Sequence, residues 1–141
     1  MFDVLGIGNA IVDVIAHADE GFLSKHDLAK GAMTLIDEAR GEAIYARSCA
    51  GCHQPDLSGD GQTPALVGKD FNMDWTDQSL GDLFERTRIS MPADKPGSLA
   101  PAEVTDIIAF LLTKGAFPAG QAELPADAAA LKTIKFVVPK P

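Results

Sequence analysis

The chain has little positive charge and no long apolar run, and each shortage excludes a class of function. Lys and Arg number 12 against 20 Asp and Glu, a net charge of −8, so nucleic-acid binding, which needs a basic surface, is not expected. No apolar run approaches the length of a membrane span. The apolar stretch 2–16 contains Asp3 and Asp13 and follows no Lys or Arg, so no signal peptide is predicted.

Cysteine is scarce as well, and the two cysteines belong to one motif, Cys49-Ala50-Gly51-Cys52-His53. Cys-x-x-Cys-His is the attachment signature of c-type haem. Cysteines three positions apart are separated by about one helical turn, so both sulfurs can reach one edge of the porphyrin and form thioethers there. The adjacent histidine then lies under the iron as its proximal ligand. The motif predicts haem c, bound covalently by Cys49 and Cys52, with His53 on the iron.

Two non-haem interpretations of the motif stay open on these residues alone. A zinc site needs three or four ligands, and beyond the motif only His17, His26 or a carboxylate could complete it. A thiol–disulfide module needs a strand–helix context around its two cysteines. Either alternative would be a Cys-x-x-Cys module without a role in electron transfer.

Helices are predicted on both sides of the motif. Residues 37–48 contain good helix formers, and Ser79 can cap a helix that runs to about residue 88. From Pro101 to Gly115, apolar residues recur at i, i+3, i+4, i+7 and i+8, the pattern of an amphipathic helix. Residues 54–75, rich in Gly and Pro, are predicted to form a loop with turns.

This order of helices, motif and loop over residues 40–118 resembles the class I cytochromes c. Gly41, Tyr45 and Cys49 repeat the glycine–aromatic–cysteine ladder of their first helix. Residues 91–99 (Met-Pro-Ala-Asp-Lys-Pro-Gly-Ser-Leu) and 107–112 (Ile-Ile-Ala-Phe-Leu-Leu) are similar to bacterial cytochrome c subunits and domains that serve quinoprotein dehydrogenases. The resemblance implies a mainly α protein with the cytochrome c fold, three to four helices wrapped around covalent haem.

The resemblance also implies roles around the haem. Pro64 would accept a hydrogen bond from the second ring nitrogen of the proximal histidine, and Leu66 would cover the porphyrin face. Trp75 would either line the porphyrin edge or be a half-buried core residue. For the sixth ligand, Met91 is favoured over Met73 because it follows a helix, precedes a proline and leaves enough chain to wrap the ring. If neither methionine binds the iron, His17 or His26 is the next candidate for the sixth ligand.

The N-terminal residues carry a second resemblance. Residues 2–16 predict one or two strands, followed by a short helix over 19–29 and a strand over 33–36. Residues 3–13 and 28–31 resemble the N-terminus of ribokinase-type carbohydrate and nucleoside kinases, in which Asn9 and Asp13 would help bind the sugar or nucleoside. That family's Gly-rich anion hole and catalytic aspartate have no counterpart, so no kinase activity is expected, and Asn9 and Asp13 are expected to be turn and strand-edge residues.

The predicted organisation is therefore a non-functional β/α kinase-like fragment over 1–37, a cytochrome c domain over 38–118 and an extended tail over 119–141, with a helical turn near 127–131. The predicted function is non-enzymatic one-electron transfer from a dehydrogenase, such as a quinoprotein dehydrogenase, to a respiratory acceptor such as a terminal oxidase or another cytochrome. The acidic charge favours partners with a basic or mixed patch. Haem c is normally attached outside the cytoplasm, so a periplasmic location is expected although no signal peptide is predicted.

Overall fold

The computed structural model describes residues 4–7, 14–17, 36–118 and 124–138. Strands β1 (Val4–Ile7) and β2 (Val14–His17) pair antiparallel, and they belong to one compact unit. Strands were predicted for residues 2–16, and these two segments confirm that prediction. The predicted helix over 19–29, together with Asn9 and Asp13, lies outside the described residues.

Residues 37–118 and 124–138 belong to a second compact unit, which is mainly helical. The helices of the described residues are α1 (Ile36–Ser48), α2 (Ala50–His53), α3 (Gly68–Trp75), α4 (Leu80–Ser90), α5 (Pro101–Lys114) and α6 (Ala128–Leu131). None of them is long and apolar enough to cross a membrane. The predicted mainly α class is confirmed, and α1, α4 and α5 lie where helices were predicted.

Two predictions of local structure were wrong. Residues 68–75 were assigned to a loop but form α3, because Phe71 is buried and Asp70 lies in the first turn, where a carboxylate favours helix formation. A helix of eight residues is too short to show its period among the surrounding glycines. Ile36 was predicted to end a strand, but it is the first residue of α1.

Helices α1 and α5 approach closely at Gly41. A Cβ at this position would lie 2.8 Å from Phe110 Cβ and would also collide with the Asp106 carbonyl. The ring of Tyr45 lies 5.4 Å from that of Phe110, and Arg40 forms an ion pair with Asp106 at 3.1 Å. A glycine is therefore required at this crossing.

The C-terminal segment differs from the predicted extended tail. The predicted helical turn is present as α6, and Leu131 within it is completely buried. Phe136 is also buried, and both side chains belong to the core of the second unit. The segment therefore packs on the helical unit, because these two large apolar side chains lose contact with water there.

Candidate functional site

A cavity of about 590 Å³ lies within the helical unit. Its lining includes Cys49, Cys52 and His53 of the cysteine motif and Met91 in the segment after α4. The volume falls in the range of cavities that bind organic cofactors. The structure thus brings all four of the predicted site residues to one cavity.

The cysteine motif is folded as a single helical turn. The Cys49 N–H donates to Tyr45 O at 2.8 Å, and the His53 N–H donates to Cys49 O at 2.9 Å, so α1 and α2 are almost continuous. Cys49 is half-buried and Cys52 is exposed, and neither forms a disulfide. This turn presents two thiols and one imidazole at the cavity, as the spacing of the motif predicts.

His53 is buried, with 7% of its surface exposed. Its Nδ1 lies 2.9 Å from the carbonyl oxygen of Pro64. A carbonyl can only accept, so Nδ1 carries the proton and Nε2 is left with a lone pair for a metal. The contact between Pro64 and the histidine, which the resemblance to cytochromes c implied, is present in the structure.

The two methionines considered as sixth ligand lie in different surroundings. Met91 directly follows α4, where its N–H donates to Thr87 O at 2.9 Å, and it lines the cavity. Met73 lies on α3, is 64% exposed and does not line the cavity. The geometry therefore favours Met91 as the residue that could complete a histidine–methionine pair.

Aromatic and aliphatic side chains form most of the remaining wall. Leu66 and Trp75, which the sequence suggested, line the cavity. Phe71 and Arg86 also line it and were missed by the sequence analysis. Arg86 is the one Lys or Arg in the described lining, and its position three residues after Leu83 on α4 could have revealed it, since residues so spaced share a helix face.

The environment of Cys49 is unlike that of a reactive thiol. Burial is the main reason that the pKa of the unattached Cys49 thiol is raised to about 11. Redox-active Cys-x-x-Cys motifs have the opposite property, a lowered thiol pKa. Among the residues that the structure describes, no three His, Cys, Asp or Glu side chains form a group that could hold a metal ion.

Comparison with known proteins defines the class. Residues 37–111 match the family described as cytochrome c oxidase, cbb3-type, subunit III, which is more than half of the chain. The chain belongs to this family of cytochrome c domains, and its cofactor is covalently bound haem c with iron. The donor set fits that cofactor, because the cavity offers two thiols, an imidazole with a free Nε2 and a thioether. The predicted fold and cofactor are confirmed, and the non-haem alternative is excluded.

Two relatives illustrate where such domains occur. The chain is 36% identical over 84 residues to a "Thiosulfate dehydrogenase" of Stutzerimonas stutzeri (strain A1501), covering 54% of this chain and 27% of that protein. It is 31% identical over 81 residues to a "Cytochrome subunit of sulfide dehydrogenase" of Chlorobaculum tepidum, covering 57% of this chain and 71% of that protein. The chain thus spans little more than a quarter of the first relative and most of the second.

Proposed function

We propose that the protein is a one-electron carrier whose haem is attached to Cys49 and Cys52 and whose iron is bound by His53 and Met91. The observation that carries the proposal is their convergence on one cavity, with the proximal imidazole already oriented by Pro64. Bound there, haem c supplies an iron that cycles between Fe(II) and Fe(III). The protein makes and breaks no substrate bond, so its action is not enzymatic.

The residues around the cavity have separate tasks in this proposal. The bond to Pro64 fixes the tautomer and direction of His53, and the end of α4 fixes Met91. Phe71 and Trp75 exclude water from the cavity, which favours the less charged ferrous state and raises the potential. Arg86 supplies a positive charge suited to the two carboxylates that haem carries.

The proposed partners are a dehydrogenase that donates electrons and a respiratory acceptor such as a terminal oxidase or another cytochrome. Both relatives described above carry dehydrogenase names that refer to inorganic sulfur compounds. These names favour a sulfur-compound dehydrogenase as donor over the quinoprotein dehydrogenase suggested by the sequence. The net charge of −8 favours a basic or mixed docking patch on the partner.

The remaining proposals concern location and domain organisation. We propose a periplasmic location, because haem c is normally attached outside the cytoplasm. We also propose that residues 1–37 are a kinase-like fragment without kinase activity and that electron transfer resides in residues 38–118. The last proposal is supported by the family match, which begins at residue 37 and contains all four proposed haem-binding residues.

The covalent attachment is tested on the purified protein. After denaturation and extraction with acidified acetone, the haem is expected to stay with the polypeptide, because both thioethers survive unfolding. Cys49→Ala and Cys52→Ala should each leave a single thioether and shift the reduced α band in the pyridine haemochrome spectrum. Release of the haem from the unaltered protein into the organic layer would contradict the assignment.

The distal ligand is tested by comparing the two methionines. The oxidised protein is expected to show the weak near-infrared charge-transfer band of sulfur bound to ferric haem. In Met91→Ala this band should disappear and the potential should fall, because water or another side chain replaces the thioether. Met73→Ala is the matched control and should retain the band, since Met73 is exposed outside the cavity. The reverse pattern would transfer the role to Met73.

A further inference from the structure

The segment 124–138 lies beyond residue 111, where the family match ends, and it contributes side chains to the core of the helical unit. Its two core side chains, Leu131 and Phe136, are almost completely buried. Neither of them lines the cavity. They therefore form a second layer, outside the side chains that face the cofactor site.

Backbone hydrogen bonds attach this segment to the turn that precedes α4. The Leu80 N–H donates to Ile134 O at 2.9 Å, and the Phe136 N–H donates to Gln78 O at 2.9 Å. Between these two bonds, Ser79 and Lys135 form an antiparallel bridge. Gln78 itself lines the cavity, so the segment is paired with a part of the cavity wall.

Helix α6 also packs closely against α4. Gly81 lies one residue after Leu80, and a Cβ at Gly81 would lie 2.6 Å from Lys132 N and 2.8 Å from Ala128 O. Only a residue without a side chain permits this approach. The close approach at Gly81 and the backbone hydrogen bonds of Leu80 and Gln78 together fix the position of the segment against α4.

An aromatic series connects Phe136 to the cavity. Its ring meets that of Phe71 edge-on, with centroids 5.9 Å apart, and lies 4.7 Å from the ring of Phe117. Phe71 in turn lies 6.3 Å from Trp75, and both Phe71 and Trp75 line the cavity. Removal of the Phe136 ring would leave Phe71 without its outer neighbour and free to withdraw from the cavity.

We infer that Phe136 is a positioning residue for the haem: it holds Phe71 and Trp75 against the cofactor and so keeps water from the iron. This inference rests on the proposed function. Ferric haem carries one more positive charge than ferrous haem and is stabilised by water, so a looser wall lowers the reduction potential. The segment 124–138 is accordingly a functional part of the cytochrome unit.

The experiment uses the full-length holoprotein and three substitutions. Phe136→Ala removes the ring, and Phe136→Leu keeps most of its apolar volume. Val137→Ala is the control, because Val137 is the next residue in the chain and its side chain is 70% exposed. The midpoint potential is measured by spectroelectrochemistry. Trp75 is the only tryptophan, so its emission, which the haem quenches according to distance, reports the position of the wall.

Phe136→Ala is expected to lower the potential and to increase Trp75 emission, Phe136→Leu to shift both less in the same direction, and Val137→Ala to change neither. If Phe136→Ala yields no holoprotein, the comparison of Phe136→Leu with Val137→Ala decides. A lowered melting temperature with unchanged potential and emission in the Phe136 variants would overturn the inference and leave a purely structural contact. Absence of covalent haem in the unaltered protein would instead overturn the proposed function.

Discussion

Tyr45 shows how one side chain links a helix to the haem-binding turn. It is almost completely buried, and its hydroxyl donates to Gln54 O at 2.6 Å. Gln54 directly follows the proximal histidine and has a φ of 67°, a left-handed conformation that non-glycine residues rarely adopt. The hydroxyl therefore holds the chain at the point where it leaves α2, next to His53. Burial also raises the pKa of Tyr45 to about 12, so the hydroxyl remains a donor across the physiological range.

Replacement of Tyr45 by Phe is expected to lower the free energy of unfolding by about 1–2 kcal/mol, since the Gln54 carbonyl loses its partner in a half-buried place. The loss is measured by denaturant unfolding of the holoprotein. Thr113→Val is the control: it removes a hydroxyl that donates to Ala109 O at 3.0 Å on the exposed side of α5, and about 0.5 kcal/mol or less is expected. Equal losses of unfolding free energy in the two variants would show that the hydrogen bond to Gln54 stabilises the protein no more than an exposed one.

At the scale of elements, α4 determines where the proposed distal ligand lies, because Met91 directly follows its last residue. Its start has a capping box in which the Asp82 N–H donates to Ser79 Oγ at 3.2 Å, and the Ser79 N–H donates to the Asp82 carboxylate at 2.9 Å. The Ser79 hydroxyl also donates to this carboxylate, at 2.6 Å. These bonds, with the side-chain bond from Ser79 as the largest cause, hold the pKa of Asp82 below its ordinary value.

The lowered pKa gives a stability effect with a defined sign. A carboxyl group that binds protons less readily when folded stabilises the protein above its ordinary pKa, near 4, and this contribution is lost as the pH falls through the lowered folded pKa. Asp82→Asn should therefore lower the melting temperature at pH 7, and its difference from the unaltered protein should shrink below about pH 4. Thr113→Val, which removes no titratable group, should show no such convergence. A difference independent of pH would contradict the role of the Asp82 carboxylate.

The elements also show what a sequence can predict. Helices α1, α4 and α5 are long, capped or strongly periodic, and their local signals agree with their packing. The formation of α3 and the packing of α6 each depend on one buried side chain, Phe71 and Leu131 respectively. Residues far away in the sequence bury these side chains. The same distinction holds in the site: the cysteine motif is local and was predictable, whereas Phe71 reaches the same cavity only through tertiary structure.

At the scale of the whole molecule, the described residues fall into two compact units, and the proposed haem-binding residues all belong to one of them. The family match begins at residue 37, and the ion pair between Arg40 and Asp106 and the crossing at Gly41 lie after that point. The contacts that join α1 to α5 therefore lie within residues 37–118. From this arrangement we expect residues 1–36 to be dispensable for haem binding.

A variant that begins at Asp37 after a secretion signal is expected to be obtained with the same haem content, the same α and β bands and the same potential as the full chain. It loses only Ile36 from α1, and the first residue of a helix makes few of its stabilising bonds. The contrasting variant ends at residue 118 and lacks α6 and Phe136, so its potential should fall because the outer layer of the cavity wall is gone. Absorption spectra and redox titration of both proteins provide the measurement. Loss of holoprotein on removal of residues 1–36 would show that the N-terminal unit is part of the cytochrome fold.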